Sequence, residues 1–122
     1  MRGWIIVALL GLLAGPLAAQ EAPSEPGPPS KADRQRNNAA KLAGLAAFVD
    51  ASCPGLKADP DKLEMAVTRL GIDPTELTQG DLHLRAKAYT EIYQKDAEAS
   101  CQRAVETFGE SGRAIPGLII RK

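Results

Sequence analysis

The stretch that decides the fold runs from Asp81 to Phe108, DLHLRAKAYTEIYQKDAEASCQRAVETF. Its apolar residues recur at steps of three or four, the spacing that places side chains on one face of an α-helix. The members of this face are Leu82, Ala86, Tyr89, Tyr93, Ala97, Cys101, Ala104 and Phe108. The pattern predicts one long helix with shorter helices packed against it. A break near Lys95-Asp96 is the alternative, because Asp96 can cap a second helical piece.

An earlier amphipathic helix is predicted from Lys31 to Cys53, and Ser30 can cap its start. It ends at Pro54-Gly55 because proline cannot continue the helical hydrogen bonds. Cys53 and Cys101 are the only cysteines, and each lies on an apolar face. We expect a disulfide between them, which would stabilise the fold by about 4 kcal/mol on the loop-entropy model. Two free thiols are the alternative.

Two Asp-Pro pairs indicate further helix starts, since aspartate caps a helix and proline suits its first position. Asp59-Pro60 opens a short helix that Gly71 ends, and Asp73-Pro74 opens a single turn. The segment 114–120, AIPGLII, is apolar but not periodic. We expect it to lie across the helices and to seal the core, while docking into a partner is the alternative. No strand pattern of useful length appears before this segment.

The predicted fold is therefore all-α: a small domain of about four helices over residues 31–122, with one disulfide and a short non-helical C-terminal tail. Residues 1–19 have the basic start, apolar core and small-residue end of a signal peptide, with an uncleaved anchor as the alternative. Residues 20–30, QEAPSEPGPPS, form a Pro-rich flexible arm that is a spacer or a proline-motif ligand. These features predict a periplasmic or secreted protein with no stable membrane span after signal cleavage.

Composition argues against several function classes. The chain carries 15 basic and 15 acidic residues, so it has no basic excess for nucleic acid. Beyond the signal peptide its aromatic residues are Phe48, Tyr89, Tyr93 and Phe108, too few for stacking platforms. The single histidine, His83, lacks partners for a metal site or a recognisable triad. We therefore expect no catalytic residue, no metal, no cofactor and no enzymatic activity.

Cys53-Pro54-Gly55-Leu56, Cys101, Phe108-Gly109 and Pro116-Gly117-Leu118 carry a resemblance to uncharacterised small bacterial periplasmic two-cysteine helical proteins. More loosely, residues 45–108 are similar to the HdeA-type acid-stress chaperones, which are small, all-helical and periplasmic with a single disulfide. The chain departs from them in its proline-rich arm and its apolar tail. The resemblance implies an all-helical exported domain and suggests chaperone activity at low pH.

The favoured hypothesis is an exported, non-enzymatic protein that binds another periplasmic or secreted protein, as an inhibitor, immunity protein or envelope-complex subunit does. The residues predicted to form the contact are Tyr89, Tyr93, Leu118, Ile119 and Ile120. The alternative is an acid-responsive periplasmic chaperone, in which protonated carboxylates release ion pairs on the helix surfaces. An enzyme or ligand carrier would need an apolar cavity with converging polar groups.

Overall fold

The computed structural model describes residues 30–122. The described chain forms four α-helices, one 3₁₀ turn (Pro74–Leu77) and two short strands: α1 (Lys31–Ser52), β1 (Leu56–Ala58), α2 (Pro60–Arg69), α3 (Asp81–Gln94), α4 (Ala97–Phe108) and β2 (Ile119–Arg121). The predicted all-α class is confirmed. The predicted signal peptide lies outside the described residues, and so does the predicted arm except for Ser30.

The predicted helix starts are confirmed by their capping hydrogen bonds. The Asp33 N–H donates to Ser30 Oγ at 3.1 Å at the start of α1. The Asp59 carboxylate accepts from two N–H groups in the first turn of α2, and the Asp73 carboxylate accepts from Thr75 N–H at the 3₁₀ turn. Side-chain oxygens thus satisfy N–H groups that have no partner within the helix.

The prediction of one unbroken helix from Asp81 to Phe108 is wrong. Helix α3 ends at Gln94, and Asp96 leaves helical geometry with φ −140° and ψ 77°. Its carboxylate accepts from Ala99 N–H at 3.3 Å and caps α4. An aspartate that bonds to the backbone competes with the helical ladder, which is why the chain starts a second helix here. The predicted apolar face still faces the core, because all of its members are buried or half-buried.

A short strand that the sequence pattern does not reveal precedes the tail. Strand β1 pairs antiparallel with β2 in the register Leu56 to Arg121, Lys57 to Ile120 and Ala58 to Ile119. The Asp50 carboxylate accepts from Ala58 N–H at 2.9 Å and ties β1 to α1. Three residues are too short for alternation to be visible in a sequence, so only the pairing of distant segments reveals these strands.

The core has two parts. The disulfide cluster is built from the second half of α1, the first strand, α4 and the tail; its buried members are Leu45, Ala46, Phe48, Val49, Cys53, Ala58, Ala104, Leu118 and Ile119. The small-residue cluster joins the first half of α1 to α2 and α3; its buried members are Ala39, Ala40, Val67, Ile72, Leu82 and Ala86. Together they bury a continuous side of α1.

The disulfide between Cys53 and Cys101 is confirmed, with a Cα–Cα distance of 5.6 Å. Cys53 ends α1 and is almost fully buried, whereas Cys101 lies half-buried on α4. The bond therefore fixes the end of α1 against α4 inside the disulfide cluster.

Ion pairs are sparse in residues 30–122. Arg36 bonds Glu76 at 2.9 Å, and Arg85 bonds Asp81 at 3.3 Å across one helical turn. Both pairs are solvent-exposed, so each contributes little to stability. Three carboxylates in this part of the chain, Asp59, Asp73 and Asp96, cap a helix or turn.

Candidate binding groove between helices α1 and α2

An open cleft of about 720 Å³ lies between α1 and α2. This volume falls in the range of roughly 300–1,000 Å³ that is usual for ligand-binding cavities. We call it the α1–α2 groove. Its lining is mostly apolar.

The two walls of the groove have the same residue spacing. Four residues of α1 and four of α2 line it, each set at positions i, i+3, i+4 and i+7: Asn38, Lys41, Leu42 and Leu45, and Lys62, Met65, Ala66 and Arg69. This spacing places each set along one face of its helix. At 1.5 Å per residue each wall is about 10 Å long, or two helical turns. Leu70 extends the α2 wall.

Segments that follow α2 in the sequence complete the lining of the groove. Tyr93 and Phe108 contribute from the ends of α3 and α4, and residues 114–116 contribute from the tail. Backbone hydrogen bonds hold this tail segment: Ala114 N–H donates to Thr107 O at 3.0 Å, and Gly117 N–H donates to Gly109 O at 2.8 Å. The tail therefore both seals the core and builds one end of the groove.

Only a narrow stripe of α2 packs against the core, and the groove therefore remains open to water. Ala66 and Val67 are buried, but Met65, one position earlier, remains 52 % exposed. A methionine side chain is flexible and adapts to different apolar partners. Met65 is thus the most accessible large apolar side chain of the groove.

The charged residues that line the groove are all cations: Lys41, Lys62 and Arg69. No Asp or Glu within residues 30–122 lies within ion-pair distance of the Lys62 or Arg69 side chain. Asp61 and Glu64 line a separate shallow depression that shares Met65 and Arg69 with the groove. The Lys41 ammonium lies 5.8 Å from the centre of the Tyr89 ring, a cation–π contact. The groove thus combines an apolar surface with positive charge.

The residues predicted to contact a partner have different positions. Tyr93 lines the groove, and its ring packs against Phe48 with centroids 5.9 Å apart. Burial raises the pKa of the Tyr93 phenol, with a further contribution from Tyr89. Tyr89 lies outside the groove lining, and its hydroxyl donates to Asn37 Oδ1 at 3.0 Å.

The tail residues among them belong to the fold. Leu118 is 0 % exposed and Ile119 is 2 % exposed, so both are core residues and a partner could reach them only if the tail left the core. Burying such side chains stabilises a fold by roughly 2 kcal/mol each. Ile120 is half-buried and lies opposite Lys57 in the strand pair. The interpretation that the tail seals the core is therefore the one that agrees with the structure.

Sequence reasoning missed most of the groove, including Lys41, Met65, Arg69 and Ile115. The available signal was the matching i, i+3, i+4, i+7 spacing of exposed apolar and basic residues on two separate helices. It could not be interpreted without knowing that α1 and α2 lie side by side, because one helix alone gives no concave surface.

His83 lies on the first turn of α3, and its Nδ1 is 2.9 Å from the Leu77 carbonyl oxygen. Because a carbonyl only accepts, this nitrogen carries the proton. Across residues 30–122, no group of three or more His, Cys, Asp or Glu side chains could hold a metal ion. No helix in the same part of the chain is both long and apolar enough to cross a membrane.

Comparison of the chain with protein-family models, curated proteins and solved structures finds no match in any of the three. The similarity to HdeA-type chaperones stays a prediction. The function must therefore be inferred from the groove and the fold.

Proposed function

We propose that this protein is an exported, non-enzymatic binding protein that holds a segment of another periplasmic or secreted protein in the α1–α2 groove. The observation that carries this proposal is an apolar, water-accessible cleft of about 720 Å³ between two helices. Concave, mostly apolar clefts between helices are common binding sites. Inhibitors, immunity proteins and envelope-complex subunits are the classes that fit.

The composition of the groove supports protein binding over catalysis. Its polar groups are Asn38, the Tyr93 hydroxyl and three cations, and none forms a nucleophile–base pair. Met65 and Tyr93 are of the residue types enriched where proteins meet. The disulfide supports an oxidising compartment, where such bonds persist.

A site-specific photo-crosslinker in place of Met65 tests the proposal in the producing cell. Leu84 is the matched control position, because it is a large apolar residue on α3 that is 64 % exposed and lies outside the groove lining. The expected result is one dominant adduct from the Met65 position, at neutral and at acid pH, that the Leu84 position does not give. The same adducts from both positions would overturn the proposal.

The acid-responsive chaperone is the second candidate, and the capping aspartates favour it. Asp59, Asp73 and Asp96 each accept backbone N–H bonds at a helix or turn start. A protonated carboxyl is a weaker acceptor, so acid would loosen the 3₁₀ turn, where hydrogen bonds from Thr75 hold the pKa of Asp73 below its usual value. Ion pairs at helical spacing that acid could also release, Glu91 with Lys87 or Lys95 and Glu106 with Arg103, are not formed within residues 30–122.

Dye binding at pH ~3 distinguishes the two candidates. A chaperone of this type gains apolar surface in acid and cross-links to many proteins from the Met65 position only there. A dedicated binding protein keeps one partner at both pH values. An unchanged fold without dye binding in acid would eliminate the chaperone candidate.

A further inference from the structure

We infer that the groove selects an amphipathic helix whose apolar stripe is flanked by acidic residues. This inference rests on the proposed function, because it specifies the chemistry of the segment that the groove holds. It follows from the shape of the walls and from the position of the three cations.

The shape favours a helical occupant. Each wall presents side chains at i, i+3, i+4 and i+7 over about two turns. Grooves formed by two helices commonly bind a third amphipathic helix through anchors of the same spacing. An occupant of this kind would place two or three apolar side chains against Leu42, Met65 and Ile115, and would cover the exposed part of Met65.

The charges favour acidic flanks. Lys41 lies on the α1 wall, whereas Lys62 and Arg69 lie on the α2 wall. Positive charge therefore borders the apolar surface on both sides, with no carboxylate in the lining. Over the whole chain basic and acidic residues are equal in number, so this surplus is local. Complementary charge raises the association rate and determines which partner is accepted.

The spacing of the cations argues against a single fatty-acid carboxylate. Lys62 and Arg69 are seven residues apart on α2, which separates their Cα atoms by about 10 Å along the helix. One carboxylate can pair with one end of this wall only. A helix with acidic residues about two turns apart can pair with both.

Three synthetic helical peptides, identical in a leucine stripe but flanked by Glu, Gln or Lys, test the inference by fluorescence anisotropy. At low salt we expect the Glu peptide to bind about tenfold more tightly than the Lys peptide, with the Gln peptide between them. High salt should reduce this difference because it screens exposed charges.

Charge reversal identifies the residues responsible. Lys62→Glu combined with Arg69→Glu should weaken the Glu peptide about tenfold and strengthen the Lys peptide. Lys87→Glu combined with Lys95→Glu is the matched control, because both lysines are exposed and lie outside the groove lining. Circular dichroism checks that all variants are folded. Met65→Ser should weaken all three peptides, whereas Leu84→Ser should weaken none.

The outcomes distinguish a failure of the inference from a failure of the proposed function. Equal binding of the three peptides with sensitivity to Met65→Ser overturns the acidic preference and retains protein binding in the groove. Binding of no peptide, or binding that Met65→Ser does not weaken, overturns both. Dodecanoate that binds when the peptides do not also overturns both and assigns the groove to a small carboxylate ligand.

Discussion

Helix α1 has two faces that pack in opposite ways. Towards α3 it presents Gly44, which allows the two helices to approach closely. A Cβ atom on Gly44 would lie 2.6 Å from the Ala86 carbonyl oxygen and 2.7 Å from Tyr89 Cβ. Towards α2 the same helix presents Lys41, Leu42 and Leu45, and a groove remains.

The two faces of α1 therefore differ in how closely a neighbouring helix approaches. Small residues bring backbones together, as the hydrogen bond from the Thr90 hydroxyl to Gly44 O at 2.9 Å shows. Between α1 and α2 a groove remains, and Met65 is 52 % exposed there. The face towards α3 should therefore control stability, while the face towards α2 should control binding.

Removal of the disulfide has the largest expected effect, because the unfolded chain then gains the freedom of a long open loop. The bond closes a loop with a sequence separation of 48. Replacing Cys53 and Cys101 by Ala should lower the free energy of unfolding by about 4 kcal/mol. Urea denaturation followed by circular dichroism measures this loss. A loss below about 1 kcal/mol would contradict the expectation that the loop constraint dominates.

Gly44→Ala tests the close approach of α1 and α3 directly. The added methyl group meets backbone and the fixed first atom of a side chain, so the helices must move apart. We expect a loss of about 2–3 kcal/mol, although alanine is the better helix former. Ala47→Leu is the control, since Ala47 lies exposed on the same helix. Equal stability of Gly44→Ala and the parent protein would show that this packing is loose.

Thr90→Val removes the hydroxyl that bonds Gly44 O while keeping the shape of the side chain. The expected loss is about 1 kcal/mol, the usual contribution of one such hydrogen bond. Thr68→Val on the exposed side of α2 should change stability by less than about 0.5 kcal/mol. Thermal unfolding of both variants compares the contact between α1 and α3 with the exposed side of α2. If Thr90→Val leaves the stability unchanged, the close approach of the α1 and α3 backbones, and not this hydrogen bond, stabilises the helix pair.

The smallest effect is expected at Asp73, between α2 and α3. Hydrogen bonds from the Thr75 backbone N–H and hydroxyl lower the pKa of Asp73 below 3.8. Because the folded pKa is the lower one, the stabilisation is present above pH 3.8 and is lost as the pH falls through the folded pKa. NMR titration of this carboxyl in folded and urea-unfolded protein measures both values. Asp73→Asn should remove this contribution to the pH dependence of stability. A pKa of Asp73 that is higher in the folded than in the unfolded protein would give the contribution the opposite sign.

Local chemistry made much of the fold predictable. Capping by Ser30, Asp59 and Asp73 depends on neighbours a few residues away, so the sequence reveals it. The two cysteines lie on apolar helix faces, and their pairing followed from that position. The break at Asp96 was only an alternative, because an aspartate within a helical pattern is compatible with either a cap or an exposed side chain.

Features that depend on distant segments were not predictable. The β1–β2 pair joins residues 56–58 to 119–121, and neither stretch is long enough to show alternation. The groove needs α1, α2 and the tail in place at once, and Gly44 becomes informative only beside α3. Tyr93 was predicted as a contact residue from the helix face that it shares with Tyr89, whereas the spacing of Met65 and Arg69 becomes informative only when α1 lies beside α2.

The position of β2 determines the order in which a newly made chain can mature. Synthesis delivers Cys53 and Cys101 before Leu118 and Ile119, so oxidation can precede completion of the disulfide cluster. Until the tail docks, Phe48 and Val49 lack part of their cover, and residues 114–116 do not yet close one end of the groove. Such long-range closure is slow compared with helix formation. The α1–α2 groove is therefore complete only after the tail has docked.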